Sequence, residues 1–149
     1  VRIVAVKKLL PSNLLFGGCL VGLAAWLWSV PAAVADPCTV NCRSGQIQFT
    51  PGDRITVQVI NVGSRPLSLE QPPLLGPRLL YTGNTFETRI NWAGQPKPSF
   101  FFWSQERLPV RARLGRPSPN TLRVELYNAP SEPSDRSITI EADGRVSVK

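Results

Sequence analysis

The chain has 149 residues, with 17 Lys or Arg against 10 Asp or Glu, a net charge of +7, three cysteines, and no histidine or methionine. That length suits one domain, or one domain behind a targeting segment. The missing histidine excludes Ser-His-Asp and Cys-His catalysis, histidine-ligated zinc or copper, and histidine-based pH switching.

Residues 1–35 contain Arg2, Lys7 and Lys8 and no acidic residue. A largely apolar stretch runs from Leu14 to Val34 and leads into Ala33-Val34-Ala35-Asp36. A basic start, an apolar middle and small residues at both key places of an A-x-A site predict a secretory signal peptide cut after Ala35. The alternative is an uncleaved N-terminal membrane anchor, because the apolar stretch is about long enough to span a bilayer. No Arg-Arg pair precedes it, which favours the general secretory route over the twin-arginine one. Cys19 precedes the main apolar stretch, which argues against a lipoprotein. The remaining 36–149 holds 14 basic and 10 acidic residues, net +4, and 12 of the 14 are arginine.

Cys38 and Cys42 open this exported part. In an oxidising compartment two cysteines read as a disulfide. Extended chain would hold their Cα atoms about 13 Å apart, too far for a bridge. A tight turn or one helical turn is therefore expected between Pro37 and Arg43. A redox dithiol is the weaker reading, since C-x3-C is not C-x-x-C. No metal site and no cofactor are expected from these residue types.

The rest reads as β. No stretch keeps a helical period for ten residues, and proline and glycine punctuate throughout. Ile55, Val57 and Val59 alternate with Thr56 and Gln58. Phe86, Ile90 and Trp92 oppose Glu87, Arg89 and Asn91. Val110, Ala112 and Leu114 oppose Arg111 and Arg113, and Leu122, Val124 and Leu126 oppose Arg123 and Glu125. A strand is also expected over Ile47–Thr50. Asp143-Gly144 predicts a hairpin between Ser137–Glu141 and Arg145–Val148. The proline-rich stretches 71–77 and 128–133 read as rigid loops. About eight to ten short strands predict an all-β antiparallel sandwich, or a barrel, over residues 36–149.

Asp36–Asn61, reading DPCTVNCRSGQIQFTPGDRITVQVIN, and the ending RSITIEADGRVSV resemble small exported cyanobacterial proteins without an assigned function. The two stretches cover about a third of 36–149. The resemblance implies a disulfide-bearing β domain in the periplasm or thylakoid lumen, and brings no catalytic residues. FTPGDRITVQVIN is also similar to the opening of cupredoxin-like sandwiches. That similarity implies a shared fold at most, because the copper ligands are missing.

Two surfaces stand out. Arg111, Arg113 and Arg123 lie on the polar side of consecutive strands, where pairing brings them together. Arginine's planar fork of donors suits carboxylate, phosphate and sulfate, so this face is a candidate for an acidic glycan, an anionic lipid surface or an acidic protein. The plainer expectation is a solvated face paired to Glu125 and Glu87. The run Ser99-Phe100-Phe101-Phe102-Trp103 is expected to be buried on both faces, since such a strand on an open edge would invite aggregation. Its functional alternative exposes Phe101 and Trp103 as a docking patch for a protein or a sugar ring.

Enzyme signals are poor. Asp53, Glu70, Glu87, Glu106 and Asp135 are scattered, and no phosphate loop or nucleophile elbow is present. Serine and lysine chemistry remains a rival. Nucleic-acid binding does not suit an exported chain of this charge. The expectation is a non-enzymatic binding or structural module of the cell envelope, with an envelope protein or an acidic glycan as partner.

Overall fold

The computed structural model describes residues 38–91 and 97–149. The predicted signal peptide and Trp92 lie outside the described residues. Among the described residues nine strands form. They are β1 (Arg54–Asn61), β2 (Leu67–Gln71), β3 (Leu75–Leu80), β4 (Thr85–Asn91), β5 (Ser99–Ser104), β6 (Val110–Ser118), β7 (Thr121–Asn128), β8 (Ser137–Ile140) and β9 (Val146–Val148). They make two sheets, β4-β1-β7-β6 and β3-β2-β5-β8-β9. The expected all-β sandwich is what the chain forms.

The core lies between the sheets. Ile55, Val57 and Val59 from β1 and Leu122, Val124 and Leu126 from β7 are fully buried. Phe100 and Phe102 from β5 and Ile138 and Ile140 from β8 face them from the other sheet. Each such side chain contributes roughly 1.5–3 kcal/mol when withdrawn from water. The same burial sets register. Slipping β1 by one residue would turn Thr56 and Gln58 inward in place of the valines.

Three features depart from the sequence reading. First, β1 pairs with β7 in parallel, so the sandwich is not wholly antiparallel. Side-chain alternation reports which face is buried, and it is the same whichever way a neighbouring strand runs. Second, the proline-rich stretch 71–77 is not simply a loop. It contains a hairpin turn, with a cis Pro72–Pro73 peptide, and the first half of β3. Gly76 and Pro77 are tolerated because β3 is an edge strand of its sheet. Third, the chain around Ile47–Thr50 forms no full strand. It makes an isolated bridge from Gln48 to Arg145, while Ile47 and Phe49 plug the core.

The N-terminal segment works as a strap across one side of the sandwich. The Cys42 N–H donates to the Leu114 carbonyl on edge strand β6 (2.9 Å), and the Arg116 N–H donates to Thr39 (2.8 Å). A few residues later Gly45 and Ile47 bond Val146 on edge strand β9. One segment thus covers a free edge of each sheet, which blunts pairing with other chains. The Cys38–Cys42 disulfide closes the first of these contacts, with Cα atoms 5.7 Å apart. The turn uses Asn41 in the left-handed region (φ 54°) and no helix.

The strap is pinned at two more points. Arg116 donates to the carbonyls of Pro119 and Gln48, and its guanidinium lies 4.8 Å from the Phe49 ring centroid. Gly144, in the predicted Asp143-Gly144 turn, has φ 85° and accepts from the Phe49 N–H at 2.9 Å. A Cβ on Gly144 would run into the Phe49 carbonyl, so both the backbone angle and the space demand glycine. Beside this turn, the hydrogen bond from Lys97 holds the Glu141 carboxyl below its ordinary pKa. Hydrogen bonds from Arg145 do the same for Asp143.

Candidate binding cleft

The arginine face is occupied by its own carboxylates. Arg113 and Arg123 meet at Glu125, at 3.7 and 3.9 Å, and Arg113 also lies over the Tyr127 ring at 5.2 Å. Arg111 turns to the segment after β7. It approaches Glu132 at 3.3 Å and donates to the Pro133 carbonyl at 3.2 Å. Its Nε lies 3.1 Å from Asp135 Oδ2, close enough for an ion pair but off the line of a hydrogen bond. Asp135 also accepts from the Ala112 N–H, so this cluster ties the segment to the β6 edge. Glu87, the other expected partner, accepts from Gln58 instead. Arg113, Arg123 and Glu125 border a hollow of about 310 Å³ beside Thr39 and Asn41.

The aromatic strand corrects an expectation. Phe100 and Phe102 are buried, but Phe101 and Trp103 are 41% and 39% exposed. Burial on both faces does not occur because β5 has the opposing sheet on one side only. The period of two then sends Phe101 and Trp103 to the outer face of the five-stranded sheet. Lateral pairing by β2 and β8 removes the edge hazard that motivated the burial argument.

The two rings sit among small or polar neighbours. Ser68 lies opposite Trp103 on β2, and Leu79 on β3 lies opposite Ser68. Glu70 lies opposite Phe101 on one side and Ser137 on the other. Above β5 opens a cleft of about 640 Å³. Phe101 and Trp103 line it together with Phe102 and Ser104 of the same strand and with Glu70, Arg107, Leu108, Pro109, Ser134 and Arg136. Arg107 is placed by the turn after β5, where its N–H donates to Ser104 and its φ is 58°. Arg136 is placed just before β8, its carbonyl accepting from the Phe102 N–H at 3.0 Å.

Charge is distributed unequally over these groups. Among the described residues Arg107, Arg136 and Glu70 form no ion pair, unlike Arg65, Arg111, Arg113, Arg123 and Arg145. The cleft thus has an aromatic floor, two arginines without a carboxylate among the described residues, and one carboxylate on β2. Sequence reasoning singled out Phe101, Trp103 and Glu70 but missed both arginines. They lie in turns, where periodicity gives no direction to a side chain.

The other carboxylates are dispersed. Glu106 pairs with Arg65 at 3.6 Å, Asp135 with Arg111, and Asp53 sits in the turn before β1. No family model, curated protein or solved structure matches the chain. Among the described residues no helix is long and apolar enough to cross a membrane.

Proposed function

We propose that this chain is an exported, non-enzymatic binding module of the cell envelope, and that its binding surface is the Phe101–Trp103 cleft. The observation that carries the reading is the exposure of two large aromatic side chains, two residues apart, on the floor of one cleft. Large rings held on a rigid strand lose little entropy on binding and bring much contact area. Concave sites with an apolar floor and a few polar groups are where ligands bind. The basic start and the A-x-A ending of 1–35 support export, and the Cys38–Cys42 bridge suits an oxidising compartment.

The arginine face is the second candidate, and it is less available. A ligand there would have to displace Glu125 from Arg113 and Arg123. The enzyme alternative has little to work with in the cleft. Glu70 is the single carboxylate among the described lining residues, whereas glycoside hydrolysis needs two facing ones.

The test compares wild type with Phe101→Ser/Trp103→Ser for co-sedimentation with envelopes of the producing cell. Wild type is expected to co-sediment. The variant should stay soluble at an unchanged melting temperature, since both side chains already face water. Equal co-sedimentation would move the binding surface elsewhere. N-terminal sequencing of the exported form should begin at or near Asp36.

A further inference from the structure

We infer that the cleft takes an acidic oligosaccharide, a stretch of linked hexuronate residues. One sugar face would lie on Phe101 and Trp103, and its carboxylate would meet Arg107 and Arg136. The inference rests on the reading of the cleft as the binding surface, and it adds the chemical class of the ligand.

Four observations lead there. The first is size. A volume of about 640 Å³ falls within the roughly 300–1000 Å³ of small-ligand and short-oligomer sites. A stable protein interface instead covers about 800 Å² on each partner. The exposed apolar groups here amount to two aromatic side chains with Leu79 beyond them.

The second is the platform itself. Phe101 and Trp103 project from the same side of one strand, about 7 Å apart along it. Ser68 and Ser137, their cross-strand neighbours, are too short to wall them in. A pyranose presents a face of C–H groups, which packs on an aromatic ring through dispersion and loss of hydration. Its hydroxyls point outward to polar groups at the rim.

The third is charge. Two arginines against one carboxylate leave the cleft with an excess of one positive charge. Among the described residues no carboxylate pairs with Arg107 or Arg136, so an incoming carboxylate displaces none of their ion pairs. On the arginine face Glu125 already serves Arg113 and Arg123.

The fourth is polarity across the cleft. Glu70 flanks Phe101 from β2, while Arg136 adjoins Ser137, the neighbour of Phe101 on β8. Glu70 accepts hydrogen bonds from sugar hydroxyls and repels a carboxylate on its side. The ligand is thereby oriented with its acid toward Arg136 and its hydroxyl edge toward Glu70. A neutral sugar would use the floor and Glu70 but leave both arginines unanswered.

The experiment is calorimetric titration of the exported protein with hexagalacturonate and hexamannuronate, with cellohexaose and hexaglutamate as controls. At least one hexauronate is expected to bind at least 10-fold tighter than either control. Trp103→Ala and the pair Arg107→Gln/Arg136→Gln should each weaken it at least 10-fold. Arg113→Gln, outside the cleft, should leave it within about twofold.

Equal binding of cellohexaose would overturn the acidic class while leaving the cleft as the binding surface. Equal binding of hexaglutamate, with Trp103→Ala indifferent, would overturn the sugar class and point to unspecific attraction. Binding of no hexauronate would overturn the inference outright. The sedimentation comparison of the Phe101→Ser/Trp103→Ser variant then decides separately whether the cleft binds anything. Melting temperatures of all variants distinguish lost binding from lost folding.

Discussion

Asn61 illustrates how a single side chain organises this sandwich. It sits fully buried at the end of β1, where alternation would place a fourth apolar residue after Ile55, Val57 and Val59. Its Nδ2 donates to the carbonyls of Arg65 and Leu80 at 2.8 Å each, and its Oδ1 accepts from the Gly63 N–H at 2.9 Å. Its own backbone bonds Gly83 and Asn84. One amide therefore anchors the turn into β2 and the crossing from β3 to β4. Asn61→Ala takes this donor from the Arg65 and Leu80 carbonyls, while the Gly63 N–H keeps the Leu126 carbonyl at 3.2 Å; buried unsatisfied groups cost about 1–3 kcal/mol each. A net loss of roughly 2–4 kcal/mol is expected in urea unfolding, after relaxation and water entry. A loss below about 0.5 kcal/mol would show that these loops hold themselves. The sequence marks Asn61 only as polar at an inward place. Its partners come from distant turns that no local pattern predicts.

At the scale of elements, the strap from Cys38 to Phe49 is the least conventional piece. It follows neither a helical nor a strand period, yet it covers the β6 and β9 edges and supplies Ile47 and Phe49 to the core. The disulfide restrains its first turn, and a loop this short is worth about 2 kcal/mol by the chain-entropy relation. Cys38→Ser/Cys42→Ser should lose about that much stability. Hydrogen exchange should speed at the amides of position 42 and Arg116, whose N–H groups make the β6 contacts, and stay slow in β1 and β7. Uniform acceleration throughout would mean that the clasp supports the whole fold.

Strands with one wet face were the legible ones. β1, β4, β6, β7 and the β8–β9 hairpin follow from alternation and turn chemistry, as does the Cys38–Cys42 pairing. β2 and β3 were missed for physical reasons. β2 is buried at four of its five positions, which erases alternation, and β3 carries Gly76 and Pro77 on an exposed edge. In the cleft, the aromatic floor was visible as a run of rings, but its exposure depended on how many layers cover β5. Arg107 and Arg136 became visible only once the turns were placed.

At the scale of the molecule, the charge is not a uniform coat. Much of the arginine in 36–149 is internal fastening. Arg111 ties down the segment before β8, Arg116 pins the strap, and Arg78 lies 5.3 Å from the Phe86 ring centroid. The net +4 of this part therefore overstates what is free to attract an anion. Among the described residues, Arg107 and Arg136 differ from these fastenings in making neither an ion pair nor a ring contact, a state they share with Arg43, Arg54 and Arg89. On the proposed reading, recognition lies on the outer face of the five-stranded sheet, while Arg111, Arg113, Arg116 and Arg123 of the four-stranded sheet are engaged within the fold. The most direct measurement is an NMR titration of the isotope-labelled protein with the hexauronate that binds tightest. Shifts are expected centred on the Phe101 amide, the Trp103 indole N–H and the Arg107 and Arg136 Nε–H signals, with Arg113 and Arg123 unmoved. Shifts centred on Arg113 and Arg123, or none in the cleft at saturating ligand, would contradict the proposed reading.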